Sequence, residues 1–159
     1  MTVDDLREYG LAEMSAEEIR NFLTNRGFGV LGLPTDGAPY LLPMSFGFDG
    51  ESRLYFSYFA GEGSRKAALS DAAETASFLV HDADSVFLWE SVLLTGTLSG
   101  LSANDTPEEA LENAWYLDLF ERADTTGRLA LYEFRIDERT GLKCVGLPPG
   151  MHPDHPERG

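Results

Sequence analysis

Strict alternation between residues 40 and 48 is the feature that most constrains the fold of this chain. Every second residue there is large and apolar, in the order Tyr40, Leu42, Met44, Phe46 and Phe48. Successive side chains of a β-strand point to opposite faces, so this segment predicts a strand with one wholly apolar face. The other face is small or polar and consists of Leu41, Pro43, Ser45 and Gly47. Pro43 lacks the N–H for strand pairing and indicates an edge strand or a bulge.

Similar short patterns, separated by turn residues, continue to residue 101 and favour a barrel or sandwich. The predicted strands are Gly27 to Leu33, Tyr40 to Phe48, Arg53 to Phe59, Thr75 to His81, and Val86 to Leu101 with a bend at Gly96. Asp49 and Gly50 begin a tight turn, so we expect the second and third strands to pair as a hairpin. A final hairpin is predicted from Leu129–Asp137 and Leu142–Val145, around a turn at 138–141.

Helices are predicted beside these strands. Ser15 and Glu18 have the spacing of a capping box, which begins a helix that ends near Asn25. Thr106, with Pro107 in the first turn, begins a second helix. The 159 residues fit one mainly β domain with flanking α-helices over 1–147, followed by a Pro-rich tail over 148–159.

The excess of acidic residues excludes one class of function, the binding of nucleic acid. The 27 Asp and Glu residues outnumber 12 Lys and Arg, which gives a formal net charge of -15. Binding to nucleic acid depends on clustered cations, so a DNA or RNA reader is excluded. The acidic residues are scattered, as in cytosolic proteins of salt-loving microbes.

Localisation is predicted from the N-terminus and the cysteine content. Met1 to Glu13 lacks the basic flank and apolar run of a signal peptide, and no apolar stretch suits a membrane span. Cys144 is the only cysteine, which indicates a reducing compartment. We expect a cytoplasmic protein without a membrane partner.

The most informative segment for chemistry is 54–69. A strand passes through Gly61 and Gly63 into a short helix that opens with Ser64, Arg65 and Lys66. Two cations in the first helical turn oppose the helix dipole, so an anion is expected nearby. Free amide groups, the hydroxyl and the guanidinium would suit a phosphate. The alternative is that both cations are solvated and pair with Glu62 or Asp71.

A planar ring could lie along the small face of the second strand, against main-chain groups near Pro43, Ser45 and Gly47. The alternative is a plain edge strand facing solvent.

The histidines, the cysteine and the tryptophans are interpreted as surface or core residues and not as functional ones. His81 is more typical of a surface residue than of a catalyst, and His152 with His155 is too few ligands for a metal site. Cys144 fits a small buried residue, and both Trp89 and Trp115 fit a core.

In their order along the chain, these motifs resemble a known family. The segments are Pro39 to Phe46, the turn at Asp49, Leu54 to Ser57, Ser64 to Lys66, Leu69, Thr75 to Val80, and Trp89 to Val92 followed by Gly96. They are similar to the flavin-binding core of the pyridoxamine 5'-phosphate oxidase-like split barrels, and most of all to the nitroimidazole-resistance-like flavoproteins. The resemblance covers roughly residues 15–137.

The resemblance implies an antiparallel split β-barrel of about six or seven strands with two or three short helices. It also implies FMN at a homodimer interface. Ser64, Arg65 and Lys66 match the phosphate positions, and Phe56 and Ser57 match the pair beside the ribityl chain. The ring would border Leu41 to Phe46, with cofactor contacts expected at Pro43, Met44, Ser45 and Phe46. Ser91 matches a polar position near the cofactor.

Two departures limit what the resemblance implies. Leu41 and Phe46 stand where the family's oxidases carry basic residues, which weakens charge stabilisation of reduced flavin. The end of the chain, Met151 to Gly159, has no stretch comparable to the arginines and tryptophan that grip the substrate phosphate in true pyridoxamine phosphate oxidases. The vitamin B6 reaction is therefore not the main hypothesis.

The leading hypothesis is an FMN-dependent oxidoreductase that acts on a small organic substrate, with electrons from a nicotinamide or a partner. No residue is assigned as a general acid or base, because the cofactor carries the electron transfer. No metal is expected. The alternative is a non-catalytic protein that holds haem, deazaflavin or flavin for storage or sensing on the same barrel.

Overall fold

The structure is a computed structural model that describes residue 7 and residues 10–59, 65–101 and 129–146. Two helices lie in this part of the chain, α1 (Ala16–Thr24) and α2 (Arg65–Ala72). The strands are β1 (Leu11–Glu13), β2 (Phe28–Leu33), β3 (Tyr40–Ser45), β4 (Gly47–Phe48), β5 (Arg53–Phe59), β6 (Thr75–Ser85), β7 (Leu88–Leu101) and β8 (Leu129–Val145).

All eight strands belong to one antiparallel sheet. The order is β3-β2-β6-β7-β8-β5-β4, and β1 pairs with β8. β3 and β4 lie at opposite ends of this order, although only Phe46 separates them in the chain. The sheet must therefore curl until its two ends meet at the bent segment 40–48. This mainly β half-barrel with two helices confirms the predicted split-barrel class.

Phenylalanine side chains fill the concave side of the sheet. Phe56, Phe78 and Phe134 are almost fully buried. The ring centroids of Phe56 and Phe78 are 4.9 Å apart, and those of Phe46 and Phe78 are 5.3 Å apart. These contacts join β5, β6 and the junction of β3 with β4, so burial of aromatic surface holds the curl.

The predicted alternation of the second strand is confirmed over Tyr40–Ser45 and is wrong beyond it, because the strand is interrupted at Phe46 and Gly47, predicted on the outer face, is buried. Met44 and Phe46 are buried, and Tyr40, Leu42 and Phe48 pack against the core. Leu41 and Pro43 are exposed on the other face. The strand is an edge strand as Pro43 indicated, since among the described residues β3 pairs only with β2.

Helix α1 begins with the predicted capping box. The Ser15 hydroxyl accepts a hydrogen bond from the Glu18 amide at 3.1 Å, and the Glu18 side chain accepts one from the Ser15 amide. Ile19, Phe22 and Leu23 are buried, as the spacing predicted. The Glu18 carboxylate also pairs with the ammonium of Lys143 on β8, which fixes the helix against that strand.

The predicted final hairpin is wrong, because β8 is one strand of 17 residues. Residues 138–141, interpreted as a turn, instead pair with Val92–Thr95 of β7. The irregularity is a bulge at Asp137: Thr95 lies opposite Glu138, whereas Gly96 lies opposite Ile136. The register shift falls at Gly96, where the sequence predicted a bend, and glycine is required there because a Cβ would clash with the backbone oxygen of Arg135.

The predicted pairing of the second and third strands holds over two residues only. Gly47 and Phe48 pair with Tyr55 and Leu54 of β5. The longer part of the segment, Tyr40–Ser45, pairs with β2 instead. The helix start predicted at Thr106 and the tail 148–159 lie outside the described residues.

Candidate ligand-binding site

Arg65, the first residue of α2, lies over an aromatic ring. Its guanidinium carbon is 5.0 Å from the centroid of the Tyr40 ring, and Tyr40 is the first residue of β3. A guanidinium at this distance from an aromatic face is attracted by the negative potential of the ring. The contact restrains a long side chain that would otherwise sample many rotamers, and it leaves the cation exposed at the surface.

The Arg65 groove is an open depression of about 740 Å³ between α2 and the turn that joins β2 to β3. Its lining residues are Pro34, Thr35, Asp36, Gly37, Ala38, Arg65, Leu69 and Ala72. The start of α2 adds the positive end of the helix dipole. Within the described part of the chain Arg65 makes no ion pair, so its charge is available to an anion in this groove.

The alternative for Arg65 was an ion pair with Glu62 or Asp71; Glu62 lies outside the described residues, and no pair with Asp71 forms. The Asp71 carboxylate accepts a hydrogen bond from the hydroxyl of Tyr132 at 2.8 Å. Asp36 also lines the Arg65 groove, so one carboxylate faces the cation's side of the groove. The fit to a phosphate therefore depends on Arg65 together with the helix start. Removing the guanidinium should weaken the binding of a phosphate in this groove.

A second depression, the Gly32 groove, has a volume of about 720 Å³. The ends of β2 and α2 and the starts of β3 and β6 form its walls. It is lined by Gly32, Leu33, Pro34, Pro39, Leu41 and residues 72–77. Most of these groups are apolar, and Glu74, Thr75 and Ser77 add polar atoms.

The free edge of β3 lies beside these grooves. A strand paired on one side only leaves main-chain N–H and C=O groups facing outward, and these can hydrogen-bond a planar heterocycle. Pro43 is exposed and Ser45 is half-buried at this strand. The Arg65 groove therefore offers a cation to an anionic group, and the neighbouring strand edge offers main-chain donors and acceptors to a planar ring.

The predicted site residues differ in how deeply their side chains are buried. Met44, Phe46 and Phe56 are buried in the core, so only their main-chain atoms can face a ligand. Ser57 and Ser91 are half-buried. Ser64 lies outside the described residues, and Lys66 lies in α2 with a side chain outside the described set.

Ser91 lies on β7, three strands from β3 in the sheet order, whereas Ser57 lies on β5, which contacts β3 where the two ends of the sheet meet. Ser57 lies opposite Leu131 of β8, and Ser91 lies between His81 and Leu142. The structure thus brings Arg65 to the start of the predicted second strand but does not bring Ser91 to it within one chain. Tyr40 and Asp36 were missed as site residues. An aromatic residue directly after the 34–39 turn was the only signal for Tyr40.

One tyrosine outside the grooves has a perturbed acidity. Burial raises the pKa of Tyr55, and the carboxylates of Glu133 and Asp49 raise it further. The phenol therefore stays protonated at neutral pH.

Among the described residues no group of three His, Cys, Asp or Glu side chains could hold a metal ion. None of the described helices has the length and apolar character needed to cross a membrane.

Comparisons with known proteins agree with this architecture. The family model for pyridoxamine 5'-phosphate oxidase matches residues 15–143. No curated protein sequence matches the chain.

Solved structures with the same fold share little sequence with this chain. An FAD-binding protein from Mesorhizobium loti is 22% identical with a TM-score of 0.65, over 84% of this chain and 96% of that one. A candidate 5-nitroimidazole antibiotic resistance protein from Bacteroides thetaiotaomicron is 15% identical with a TM-score of 0.65, over 84% and 87%. An FAD and haem binding protein from Mycobacterium smegmatis is 16% identical with a TM-score of 0.66, over 87% and 75%. At these identities the likeness shows the fold alone.

Proposed function

Because the chain belongs to the pyridoxamine 5'-phosphate oxidase family, we propose that it binds a flavin by its phosphate end. The observation that carries this proposal is the exposed Arg65 guanidinium held over Tyr40, at a helix start and inside a groove. FMN is the smallest flavin with a phosphate. Structural relatives described as FAD-binding support a flavin as the class of cofactor.

Each element of the site has a distinct task in this proposal. Arg65 and the positive end of the α2 dipole neutralise the phosphate, and Ser64 and Lys66, which flank Arg65 in sequence, add a hydroxyl and a second cation. The free edge of β3, from Leu41 to Ser45, orients the ring through main-chain hydrogen bonds. Phe46 and Phe56 keep this edge rigid through their packing in the core.

The bound flavin would supply electron transfer between a donor, such as a reduced nicotinamide, and a small organic acceptor. The protein would bind, orient and shield it. We infer an oxidoreductase rather than a store, because Leu41, which is 66% exposed and lines the Gly32 groove, leaves the start of β3 open to a second molecule. No side chain is assigned to proton transfer.

A second copy of the chain is the proposed partner. Pro43, Val30, Leu79 and Leu93 lie opposite one another on β3, β2, β6 and β7 and form one row across the outer face of the sheet. Phe28 and Leu93, on this face, are 59% and 47% exposed. An apolar row of this extent on a curled sheet is typical of an interface. Burial in a homodimer would also shield the flavin edge.

A visible spectrum of the purified protein tests the cofactor. Oxidised flavin bands support the proposal, a Soret band would favour haem, and a protein that takes up neither when reconstituted contradicts it. Arg65→Ala should raise the Kd for FMN about 10- to 100-fold, since a charged phosphate contact contributes on the order of 1.5–3 kcal/mol. Arg20→Ala, which removes an exposed arginine of α1, is the matched control and should leave the Kd unchanged.

Turnover is tested separately from binding. Reduced nicotinamide added without oxygen should bleach the flavin bands of an oxidoreductase. Bands that persist, with FMN still bound, would instead support a carrier or sensor.

A further inference from the structure

Tyr132 carries a hydroxyl at a core position where its neighbours are phenylalanines. It lies on β8 in register with Phe56 of β5, and Phe134 lies two residues further along the same face of β8. All three side chains are buried on the concave side of the sheet, and Tyr132 is 4% exposed. A buried phenol needs a hydrogen-bond partner for its hydroxyl, so the presence of tyrosine instead of phenylalanine requires an explanation beyond packing.

The partner of this hydroxyl lies on α2, the helix that begins at Arg65. The Tyr132 hydroxyl donates a hydrogen bond of 2.8 Å to the Asp71 carboxylate. Asp71 lies in the last turn of α2, where a negative charge opposes the helix dipole. The carboxylate is therefore unfavourable for the helix itself, and its favourable contact is with the sheet. Hydrogen bonds to charged groups are stronger than neutral ones, so this contact ties α2 to β8.

The apolar packing of α2 does little to fix its orientation. Apart from Leu69, the side chains that α2 and the residue after it turn toward the core are small, namely Ala67, Ser70 and Ala73. Burial of small side chains is favourable but non-directional, so it resists rotation or sliding of this eight-residue helix only weakly. A hydrogen bond has narrow limits of distance and angle and therefore fixes the helix in one orientation.

The orientation of α2 decides where Arg65 lies. Arg65 and Asp71 are close to opposite ends of the helix, about 9 Å apart along its axis at 1.5 Å per residue. Rotation or sliding of α2 would displace the guanidinium from the Tyr40 ring, whose centroid is 5.0 Å away. We infer that Tyr132 is a positioning residue for the anion site, because through Asp71 it holds α2 with Arg65 in the Arg65 groove. This inference rests on the proposed function.

The test measures the binding of FMN and of riboflavin to the full-length protein by the quenching of flavin fluorescence. Tyr132→Phe keeps the ring and removes the hydrogen bond, so the Kd for FMN should rise about three- to tenfold. Riboflavin has no phosphate, and its Kd should stay at the wild-type value. Tyr55→Phe is the control, since it removes the hydroxyl of another buried tyrosine outside the grooves, and it should change neither constant.

A double-mutant cycle separates positioning from a general loss of stability. In a protein that already carries Arg65→Ala, Tyr132→Phe should not raise the Kd for FMN further, because the residue that it positions is absent. Asp71 offers a second comparison in which the charge is matched. Asp71→Asn keeps an oxygen that can accept the hydrogen bond, whereas Asp71→Leu does not, so the Kd for FMN should be about three- to tenfold higher in Asp71→Leu.

Three results would overturn the inference and leave the proposed function standing. These are wild-type FMN binding by Tyr132→Phe, equal losses of FMN and riboflavin affinity in that variant, and additive losses in the cycle with Arg65→Ala. Failure of the wild type to bind FMN would contradict the proposed function and the inference together.

Discussion

The guanidinium carbon of Arg65 lies 5.0 Å from the centroid of the Tyr40 ring, which joins the start of α2 to the start of β3. These two elements are separated by β4 and β5 in the chain. The contact therefore positions the cation of the helix relative to the strand edge proposed to hold the ring. A phosphate site and a ring site so linked would accept a ligand with little reorganisation, which favours binding.

Replacing Tyr40 should weaken binding of the phosphate specifically. In Tyr40→Leu the guanidinium loses the aromatic face, and we expect the Kd for FMN to rise about two- to fivefold, in line with the 0.5–1 kcal/mol of an exposed cation–π contact. Tyr40→Phe keeps the ring and should stay close to the wild type. Riboflavin, which has no phosphate, should bind all three proteins alike. Equal losses for FMN and riboflavin would instead indicate a structural role.

Gly96→Ala should destabilise the fold. Its Cβ would clash with the backbone oxygen of Arg135, and a backbone atom cannot move aside without a shift of β8. We expect a loss of about 1–3 kcal/mol or more in the free energy of unfolding, measured with urea. Gly100→Ala on the same strand is the control, since its nearest neighbour would be Tyr132 Cε1 at 3.9 Å. Similar stability of the two variants would show that β7 can shift relative to β8.

Glu18 should make stability depend on pH in the acid range. The hydrogen bond from Lys143 and that from the Ser15 amide hold the pKa of Glu18 below its usual 4.5. A carboxyl with a lowered folded-state pKa stabilises the fold above its unfolded pKa, and this contribution is lost as pH falls through the folded value. Glu18→Gln should therefore lower Tm near neutral pH, with the difference closing below pH 4.5.

The control for this prediction is Glu17→Gln in the same helical turn, because Glu18 is the residue that pairs with Lys143. Thermal unfolding followed by circular dichroism across the acid range would measure both. A Tm difference for Glu18→Gln that stays constant with pH would contradict the ion-pair explanation.

A charge placed in the apolar row across β3, β2, β6 and β7 should dissociate the proposed dimer. Leu93→Arg places a cation among Val30, Leu79 and Pro43, and burying it without a partner would be strongly unfavourable. Light scattering should then give the mass of one chain. Val145→Arg changes an equally apolar residue that is 63% exposed but lies outside the row, and it should keep the wild-type mass. A wild-type monomer in high salt would refute the interface.

Local features of the site could be predicted well from sequence. The helix start at Arg65 and the alternation that exposes Leu41 and buries Met44 depend on residues adjacent in the chain. Tyr40 as the support of Arg65 could not be predicted. That contact forms only when the fold brings the strand and the helix together, although β4 and β5 separate them in the chain. A local sequence pattern carries no information about such a long-range contact.

The sequence by itself determined the mainly β class, the edge character of the Pro43 strand, the capping of α1 and Gly96 as the place of an irregularity in β7. These features follow from side-chain period, missing donors and local hydrogen bonds. Only the tertiary structure decided the partners of the strands. Residues 138–141 have the composition of a turn, yet they form a strand because β7 offers a continuous row of partners. Likewise, segment 40–48 divides its pairing between β2 and β5, since closing the curl buries Phe46 against Phe78.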